Sequence, residues 1–487
     1  MASANYSKNY INGKFIDAAD KQCFDKVSPA TGQVICKVAR SGKADVLLAI
    51  DAASKAQADW AATNVVARGN LMREVALKMM DRKTEIASIV AAETGKALSH
   101  AAGEVDAAVE MGMFVAGEGR RYYGRTTTSS TPNRTVMVQR QPLGIAALII
   151  ASNTPIANVA WKAFPSMFCG NASIMKPSED TPATAGIFAE ICEEVGIPPG
   201  VFNVIHGFGT EAGMPLVESA DVDLVSFTGS CDTGRIIQRV AGERLAKVCM
   251  ELGGKNALVV CDDADLDNAC KWVLSSSFSN AGQRCAASSR IIIFESIYDE
   301  FRNMLIDATK KLSIGSEDGD YLGPVINKKH LQKLVASVKG AVSRGAKLSI
   351  GGDQLTDKVH ADGFYMLPTI LEDVDLDDDI SQRELFGPVT ILYKVRDIAE
   401  ALDLANNSNY GLTSSIHTAS IHRAMKFSEQ IQAGVVVING GTHGSEPHMG
   451  FGGVKNSGTG WREAGVEAMD VYSDIKYINI IHDPEKA

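Results

Sequence analysis

The sequence predicts an α/β protein in which parallel strands alternate with helices. Three observations carry that expectation. Between residues 143 and 262, apolar runs of strand length recur, separated by helix-like segments. The same rhythm returns between 256 and 440. The composition, 45% hydrophobic and 22% charged over 487 residues, is that of a globular chain long enough for about three domains and needing no staples.

In order, LGIAALII (143–150) reads as a buried strand, 155–169 as a helix, ASIMKPS (172–178) as a strand and 183–195 as a helix. FNVIHG (202–207) and DLVSFTG (223–229) are further strands, the second followed by a helix opening at Ser230, and LAKVCMEL (245–252) closes the series. Such alternation demands crossover connections. Right-handed crossovers bury a parallel sheet on both faces, which gives a doubly wound, Rossmann-like domain. NALVVC (256–261), SSRIIIF (288–294), VTILYKV (389–395) and GVVVING (434–440) predict a second set of strands. Between them, 327–346 places Leu331, Leu334, Val335, Val338, Ala341 and Val342 on one helical stripe, as core packing requires. The acidic run 373–379 reads as a solvated turn. The polar, Thr-rich stretch 122–142 breaks the rhythm and predicts a projecting hairpin turning at Pro132-Asn133. The strand-like tail 470–480 would need a partner strand, and a subunit contact is the expected use.

The charge balance, 48 Lys+Arg against 58 Asp+Glu for a net of −10, argues against a nucleic-acid partner. Nine cysteines without a CxxC pair or metal-ligand spacing exclude a disulfide framework and a zinc site, and fit a reducing, cytoplasmic setting with no metal. No secretory signal is expected at the start. The uncharged run 141–161 is interrupted by Pro142, Asn153, Pro155 and Asn158, so no membrane partner is expected.

Three segments could carry chemistry. In FSNAGQRCA (278–286), Cys285 follows small residues and Gly282, and the neighbouring Arg284 would favour thiolate; the other eight cysteines are expected to be buried and inert. In MELGGK (250–255), Glu251 ends an apolar strand beside two glycines, where a carboxylate can act as a general base or simply be satisfied by loop amides. In Ser152-Asn-Thr-Pro155, Asn153 lies at the carboxyl end of a strand, where ligands of open α/β sheets bind; it is either an oxyanion donor or a turn residue. Three more stretches suit a cofactor. Lys176-Pro-Ser-Glu179 offers an ammonium and a carboxylate for ribose hydroxyls. Gly207-Phe-Gly209 with Gly213 is a loose glycine pattern, and Phe227-Thr-Gly-Ser230 opens a helix whose N-terminus can receive a pyrophosphate. No P-loop, HExxH or GxSxG is present.

In this order and spacing, these segments resemble the aldehyde dehydrogenase superfamily over nearly the whole chain. The likeness extends to Glu384-Leu-Phe-Gly-Pro388, Phe451-Gly-Gly-Val-Lys-Asn-Ser-Gly458 and Arg462-Glu463. The resemblance implies that Cys285 attacks the aldehyde as thiolate and that Asn153 and the Cys285 backbone N–H hold the oxyanion. Hydride then goes to a nicotinamide cofactor, and Glu251 activates the water that hydrolyses the thioester. It also implies Lys176 in the catalytic set. For the cofactor it implies Lys176, Ser178, Glu179, Gly209, Gly213, Phe227, Gly229, Ser230, Leu252, Glu384 and Phe386. Glu179 facing a ribose 2′-hydroxyl would repel a 2′-phosphate, so NAD is expected over NADP. The implied architecture is a cofactor domain of 1–121 plus 143–253, a catalytic domain of 254–468, and a small β element of 122–142 plus 469–487 that joins a homodimer or homotetramer.

The expected substrate residues are Thr154, Trp161, Arg284, Thr442, His443 and Phe451. Ser152 and Thr154 stand where many relatives carry tunnel aromatics, and 440–448 is polar, which predicts a short, polar aldehyde or semialdehyde. Arg284, Arg120 or Arg121 could pair with a substrate carboxylate, or else form plain salt bridges. The rival readings are a CoA-acylating enzyme, which Glu251 argues against, a broad aliphatic aldehyde dehydrogenase, and a non-enzymatic binding role.

Overall fold

A computed structural model describes residues 6–486. Among them are two seven-stranded sheets, each covered by helices. The first runs, across the sheet, Lys247–Glu251, Leu224–Thr228, Ile145–Ile149, Ala172–Lys176, Phe202–Val204, Asn9–Ile11 and Lys14–Ile16. Its first five strands are parallel, as the alternation predicts. The last two are an antiparallel hairpin added at the edge, which the expectation of an all-parallel sheet missed. A two-residue turn needs no crossover, so an N-terminal hairpin can cap the edge cheaply.

Side chains alternate between two cores along each central strand. Ala146 and Leu148 enter the core built on helices Val65–Asp81, Leu98–Gly117 and Pro155–Phe168. Ile145, Ala147 and Ile149 enter the opposite one, with helices Lys43–Ala62 and Cys231–Glu243. The period of two on a sheet buried on both faces explains why LGIAALII is apolar throughout.

The second sheet runs Lys347–Ile350, Thr369–Glu372, Val389–Val395, Ser288–Phe294, Asn256–Val260, Thr413–His417 and Val435–Ile438, parallel apart from the first strand. Helix Lys328–Ser343 buries Leu331, Leu334, Val338 and Ala341, but Val335 is half-buried and Val342 is exposed. Val342 lies one residue beyond Ala341, about 100° around the helix, and so falls off the stripe. The acidic run is a turn with a purpose. Asp378 caps the short helix Asp379–Gln382 and pairs with Arg344 through two bonds of 2.6 and 2.7 Å.

Residues 122–142 form strands Arg125–Thr127 and Arg134–Pro142. The tail strand Ser473–Ile481 pairs antiparallel with the second along all nine of its residues. The tail thus finds its partner in its own chain. Asn171 ties this element to the first sheet. It is fully buried, accepts from the amides of Leu143 and Gly144, and donates to the carbonyls of Ser166 and Tyr472. Among the described residues no helix is long and apolar enough to cross a membrane.

Asn171→Ala leaves the Leu143 and Gly144 amides and the Tyr472 carbonyl without their partner, while the Ser166 carbonyl keeps the backbone amide of residue 171, at about 1–3 kcal/mol per buried orphan. We expect a loss of roughly 3 kcal/mol or more in urea denaturation; an unchanged midpoint would show that Asn171 does not hold the element.

Candidate active site

Chain order in the first sheet reverses between Ile145–Ile149 and Leu224–Thr228, and a crevice opens at such a switch point beyond the carboxyl ends of the strands. Asn153 follows the first of these strands, and Gly229-Ser230 the second. Only residues 252–255 separate the carboxyl end of Lys247–Glu251 from the amino end of Asn256–Val260, so the two sheets meet across this crevice.

Cys285 sits in the turn between helix Leu266–Phe278 and strand Ser288–Phe294. Asn280, Ala281 and Gly282 are successive left-handed residues, with φ of 54°, 52° and 65°. For the two non-glycines this costs about 1–2 kcal/mol each, so the surroundings must impose it. They do. Asn280 Nδ2 donates to the carbonyl of Asn153 at 3.2 Å. Gln283 donates to the Pro324 carbonyl at 3.1 Å and accepts from the Ile326 amide at 2.8 Å. Beyond the nucleophile, three successive carbonyls are pinned by side chains. Asn256 Nδ2 donates to Cys285 O at 2.7 Å and Ala287 O at 2.9 Å, and Thr442 Oγ1 donates to Ala286 O at 2.6 Å. Asn256 is itself held by the Thr413 amide at 3.0 Å. Thr442, expected at the substrate, is buried and spends its hydroxyl on this brace. Asn256 was not singled out from the sequence; the only signal was an amide at the start of an apolar strand.

The two glycines after Glu251 allow the close packing here. A Cβ on Gly253 would lie 2.0 Å from Glu384 Oε2, and one on Gly254 would lie 2.6 Å from the Cys285 carbonyl. Glu384 accepts from the Gly254 amide at 3.1 Å, and burial pushes its carboxyl up to about 7.

Cys285 is half-buried, and its thiol is pushed up to about 12, first by burial, then by the charges of Glu384 and Glu251. Arg284 opposes this, but its effect is the smallest of those acting. The resting group is therefore a thiol, which corrects the expectation that Arg284 would favour thiolate: burial, helped by two nearby carboxyl groups, outweighs one cation. Cys23 is exposed and Cys36 half-buried on the N-terminal strands, so only six of the other eight cysteines are buried as expected. The odd-numbered and even-numbered faces of that small sheet do not both have a layer to cover them.

Glu251 is buried, and among the described residues neither carboxylate oxygen has a hydrogen-bond partner. Burial and the charge of Glu463 raise it well above the usual range, while Lys162 and Arg462 act against the rise. Lys162, fully buried, donates to Glu463 and to Ser226 Oγ at 2.8 Å, and Tyr472 donates to the same Ser226 at 3.1 Å. Such an unpartnered carboxyl beside a charged network can move protons.

The carbonyl of Asn153 receives Lys96 Nζ at 3.0 Å as well as Asn280, and Lys96 is paired with Glu104 at 2.7 Å in the interior. Glu104 also accepts from the Ile156 amide at 2.9 Å, at the start of the next helix. Asn158 donates to Asn153 Oδ1 at 3.4 Å, so the amide NH2 of Asn153 is left as its donor. Thr154 directly precedes that helix. Trp161 and Phe451 pack edge to face with centroids 5.8 Å apart, so the polar 440–448 segment is joined by aromatic surface. His443 hydrogen-bonds Ser275 at 3.1 Å and meets Trp272 edge to face; burial lowers it to about 4, so it is neutral.

On the cofactor side, Lys176 is buried at the end of its strand. It donates to the Pro177 carbonyl at 2.7 Å and lies 3.8 Å from the half-exposed Glu179. Ser178 Oγ accepts from the Asp180 amide. Gly209–Gly213 is a turn of wide helix, and Gly213 packs on the Lys176 stem. Ser230 caps helix Cys231–Glu243, Gly229 lies over the Phe227 ring, and Gly234 meets Leu252. Phe386 is held at φ 59°, and its carbonyl accepts from His330 Nε2 at 2.8 Å.

Comparison with known proteins agrees with this geometry. A family model described as the aldehyde dehydrogenase family matches residues 15–478. The chain is 38% identical over 476 residues to a mitochondrial aldehyde dehydrogenase of Leishmania tarentolae, covering 97% of this chain and 94% of that one. It is 36% identical to an alpha-ketoglutaric semialdehyde dehydrogenase of Bacillus subtilis, covering 98% and 99%. The crystal structure of a betaine aldehyde dehydrogenase from Staphylococcus aureus in complex with NAD+ superposes with a TM-score of 0.96 at 33% identity, covering 98% of this chain and 95% of that one. The α/β architecture and the full-length matches together place the chain in the aldehyde dehydrogenase family.

Proposed function

We propose that the protein oxidises a short, polar aldehyde to its acid with NAD. The observation that carries this reading is the convergence of Cys285, Asn153 and an unpartnered, buried Glu251 on the crevice between the sheets. Cys285 loses its proton to a neighbouring carboxylate and its sulfur bonds to the aldehyde carbon. The NH2 of Asn153 donates to the oxygen that gains charge, beside the Cys285 amide. When bound, NAD supplies the hydride acceptor that converts the thiohemiacetal to a thioester. Glu251 as carboxylate then takes a proton from water, whose oxygen attacks the thioester carbon. The acid leaves, and sulfur takes a proton.

The residues present fit NAD. Lys176 is a buried ammonium that donates to the neighbouring Pro177 carbonyl and lies 3.8 Å from Glu179, which stands beside it for ribose hydroxyls. The Ser230-capped helix start offers amides to a pyrophosphate, with Phe227, Gly209, Gly213 and Leu252 forming the surrounding backbone and apolar wall. Glu384 lies against Gly253 and Gly254, for the second ribose, and Phe386, two residues on and held by His330, is for the ring. Hydrolysis, not transfer to CoA, follows from the presence of Glu251. The half-exposed strand Ser473–Ile481, with Ile475, Tyr477, Ile480 and Ile481 open to solvent, supports a homo-oligomer. Nine free cysteines support a reducing, cytoplasmic setting.

Cys285→Ser abolishes NADH formation with the fold intact, and Asn153→Ala lowers kcat by about 10²–10³-fold, the usual cost of one oxyanion donor. Steady-state kinetics with a short aldehyde check both; near-normal turnover in either variant contradicts its role. Glu463→Gln removes a like charge from Glu251, so its carboxylate persists to lower pH. The acid limb of thioester hydrolysis, followed in single turnovers, moves down by about half to one pH unit; a shift to higher pH would count against Glu251 as the base. Wild type turns over NAD faster than NADP, and Glu179→Ser narrows the gap by about tenfold through loss of repulsion; a wild-type preference for NADP would refute this.

A further inference from the structure

We propose that the buried ion pair Lys96–Glu104 positions the oxyanion donor, by holding the turn that carries Asn153 at both of its ends. This deepens the reading above and rests on Asn153 donating to the oxygen that gains charge. Lys96 and Glu104 act through Asn153, so they are positioning residues.

The turn after strand Ile145–Ile149 leads into helix Pro155–Phe168, whose start has no cap of its own. Among the described residues the side chain of Thr154, at the cap position, makes no capping hydrogen bond. The first amides of a helix need acceptors. Here the acceptor comes from helix Leu98–Gly117: Glu104 Oε1 accepts from the Ile156 amide at 2.9 Å and from the Ala157 amide at 3.4 Å. A carboxylate at a helix start is also favoured by the helix dipole. The second oxygen of Glu104 takes Lys96 Nζ at 2.7 Å, and the same ammonium donates to the Asn153 carbonyl at 3.0 Å. One ion pair therefore grips residues 153 and 156 together. The side-chain amide follows, because Asn158 in the first turn of that helix donates to the Ala151 carbonyl at 3.2 Å and to Asn153 Oδ1 at 3.4 Å. With Oδ1 occupied, the NH2 is left to donate, and its direction depends on the helix start that Glu104 holds.

Lys96 is itself fixed against the Cys285 turn. Gly95 ends helix Lys83–Thr94 in the left-handed region, at φ 72°, and a Cβ there would lie 2.4 Å from Pro324 Cγ. The Pro324 carbonyl accepts from Gln283, and Asn280 joins Lys96 on the Asn153 carbonyl. The braces of the donor and of the sulfur thus share Pro324 and Asn153, which sets one relative to the other. The pair is poorly suited to a stabilising role alone. Both side chains are buried, 7% and 6% exposed, and a buried ion pair gains little stability over apolar residues of the same volume. What apolar residues cannot do is donate to one end of this turn and accept from the other.

The test follows NADH formed in the first turnover, at saturating NAD, with whichever of propanal and succinate semialdehyde wild type oxidises faster. Lys96→Met removes the donor but strands Glu104 as an unpaired buried carboxylate. Lys96→Met/Glu104→Gln removes the donor and leaves no unpaired charge, and the amide oxygen at 104 still accepts from Ile156. Both are made in wild type and on Asn153→Ala, with fold checked by circular dichroism and the Kd of NAD by fluorescence titration. We expect both to lower the first-turnover rate by about 10–10²-fold, the cost of a small misplacement near the reacting atoms, with the Kd within about twofold of wild type. On Asn153→Ala the same changes cost less than about threefold, since the donor they position is gone. Lys96→Met/Glu104→Gln at the wild-type rate overturns the proposal, because the pair then only cancels buried charge. So does a rate loss of the same size with and without Asn153, or a Kd weakened as much as the rate. Asn153→Ala at the wild-type rate overturns the oxyanion reading, and this proposal with it.

Discussion

The structure depends on one constraint: the backbone around Cys285 is held in a conformation it would not adopt alone. Asn280 and Ala281 are left-handed without being glycine. The carbonyls of Cys285, Ala286 and Ala287 are each taken by a side chain from another element. These partners come from both halves of the molecule. Asn256 begins a strand of the second sheet, and the Asn153 carbonyl that receives Asn280 lies beyond a strand of the first. The Cys285 turn is thus also the seam between the sheets, and the strain in it is balanced by the packing that brings them together.

The same seam determines the electrostatics. Glycines 253 and 254 let Glu384 and the Cys285 backbone approach more closely than any side chain at those positions would permit. Two buried carboxyl groups, Glu384 and Glu251, lie within electrostatic reach of the sulfur, and after burial itself both push the Cys285 thiol up. The Cys285 thiol therefore rests protonated. Lys162, Glu463, Ser226 and Tyr472 form the hydrogen-bonded charge network behind Glu251. Glu463 is legible only through the resemblance, and Lys162, Ser226 and Tyr472 do not stand out in sequence, because each is polar or phenolic within an otherwise apolar strand or helix and acquires meaning only from the others.

Much of the scaffold was legible from periodicity. Strand-length apolar runs such as 288–294 and 389–395 coincide with strands Ser288–Phe294 and Val389–Val395, because a sheet buried on both faces leaves no room for a polar interruption. The N-terminal hairpin was missed, since short edge strands carry a weak pattern, and Val342 was misplaced because a stripe read at helical spacing has soft margins. Cys285, Glu251 and Asn153 were visible as residue types beside glycines and strand ends. Asn256, Lys96 and Glu104 were not, since a buried amide or ion pair has no sequence signature.

By itself, then, the sequence determined the alternation of strands and helices, the order of the chemistry-bearing segments and the small residues that permit close backbone approach. All of these are local properties, set by side-chain size and by the period of burial. Only the tertiary structure decided that the Cys285 thiol rests protonated, that Thr442 braces a carbonyl and that, among the described residues, Arg284 Nε is buried without a hydrogen-bond partner. Protonation and pairing depend on distances between residues far apart in the chain, and those distances exist only once the two sheets have closed on each other.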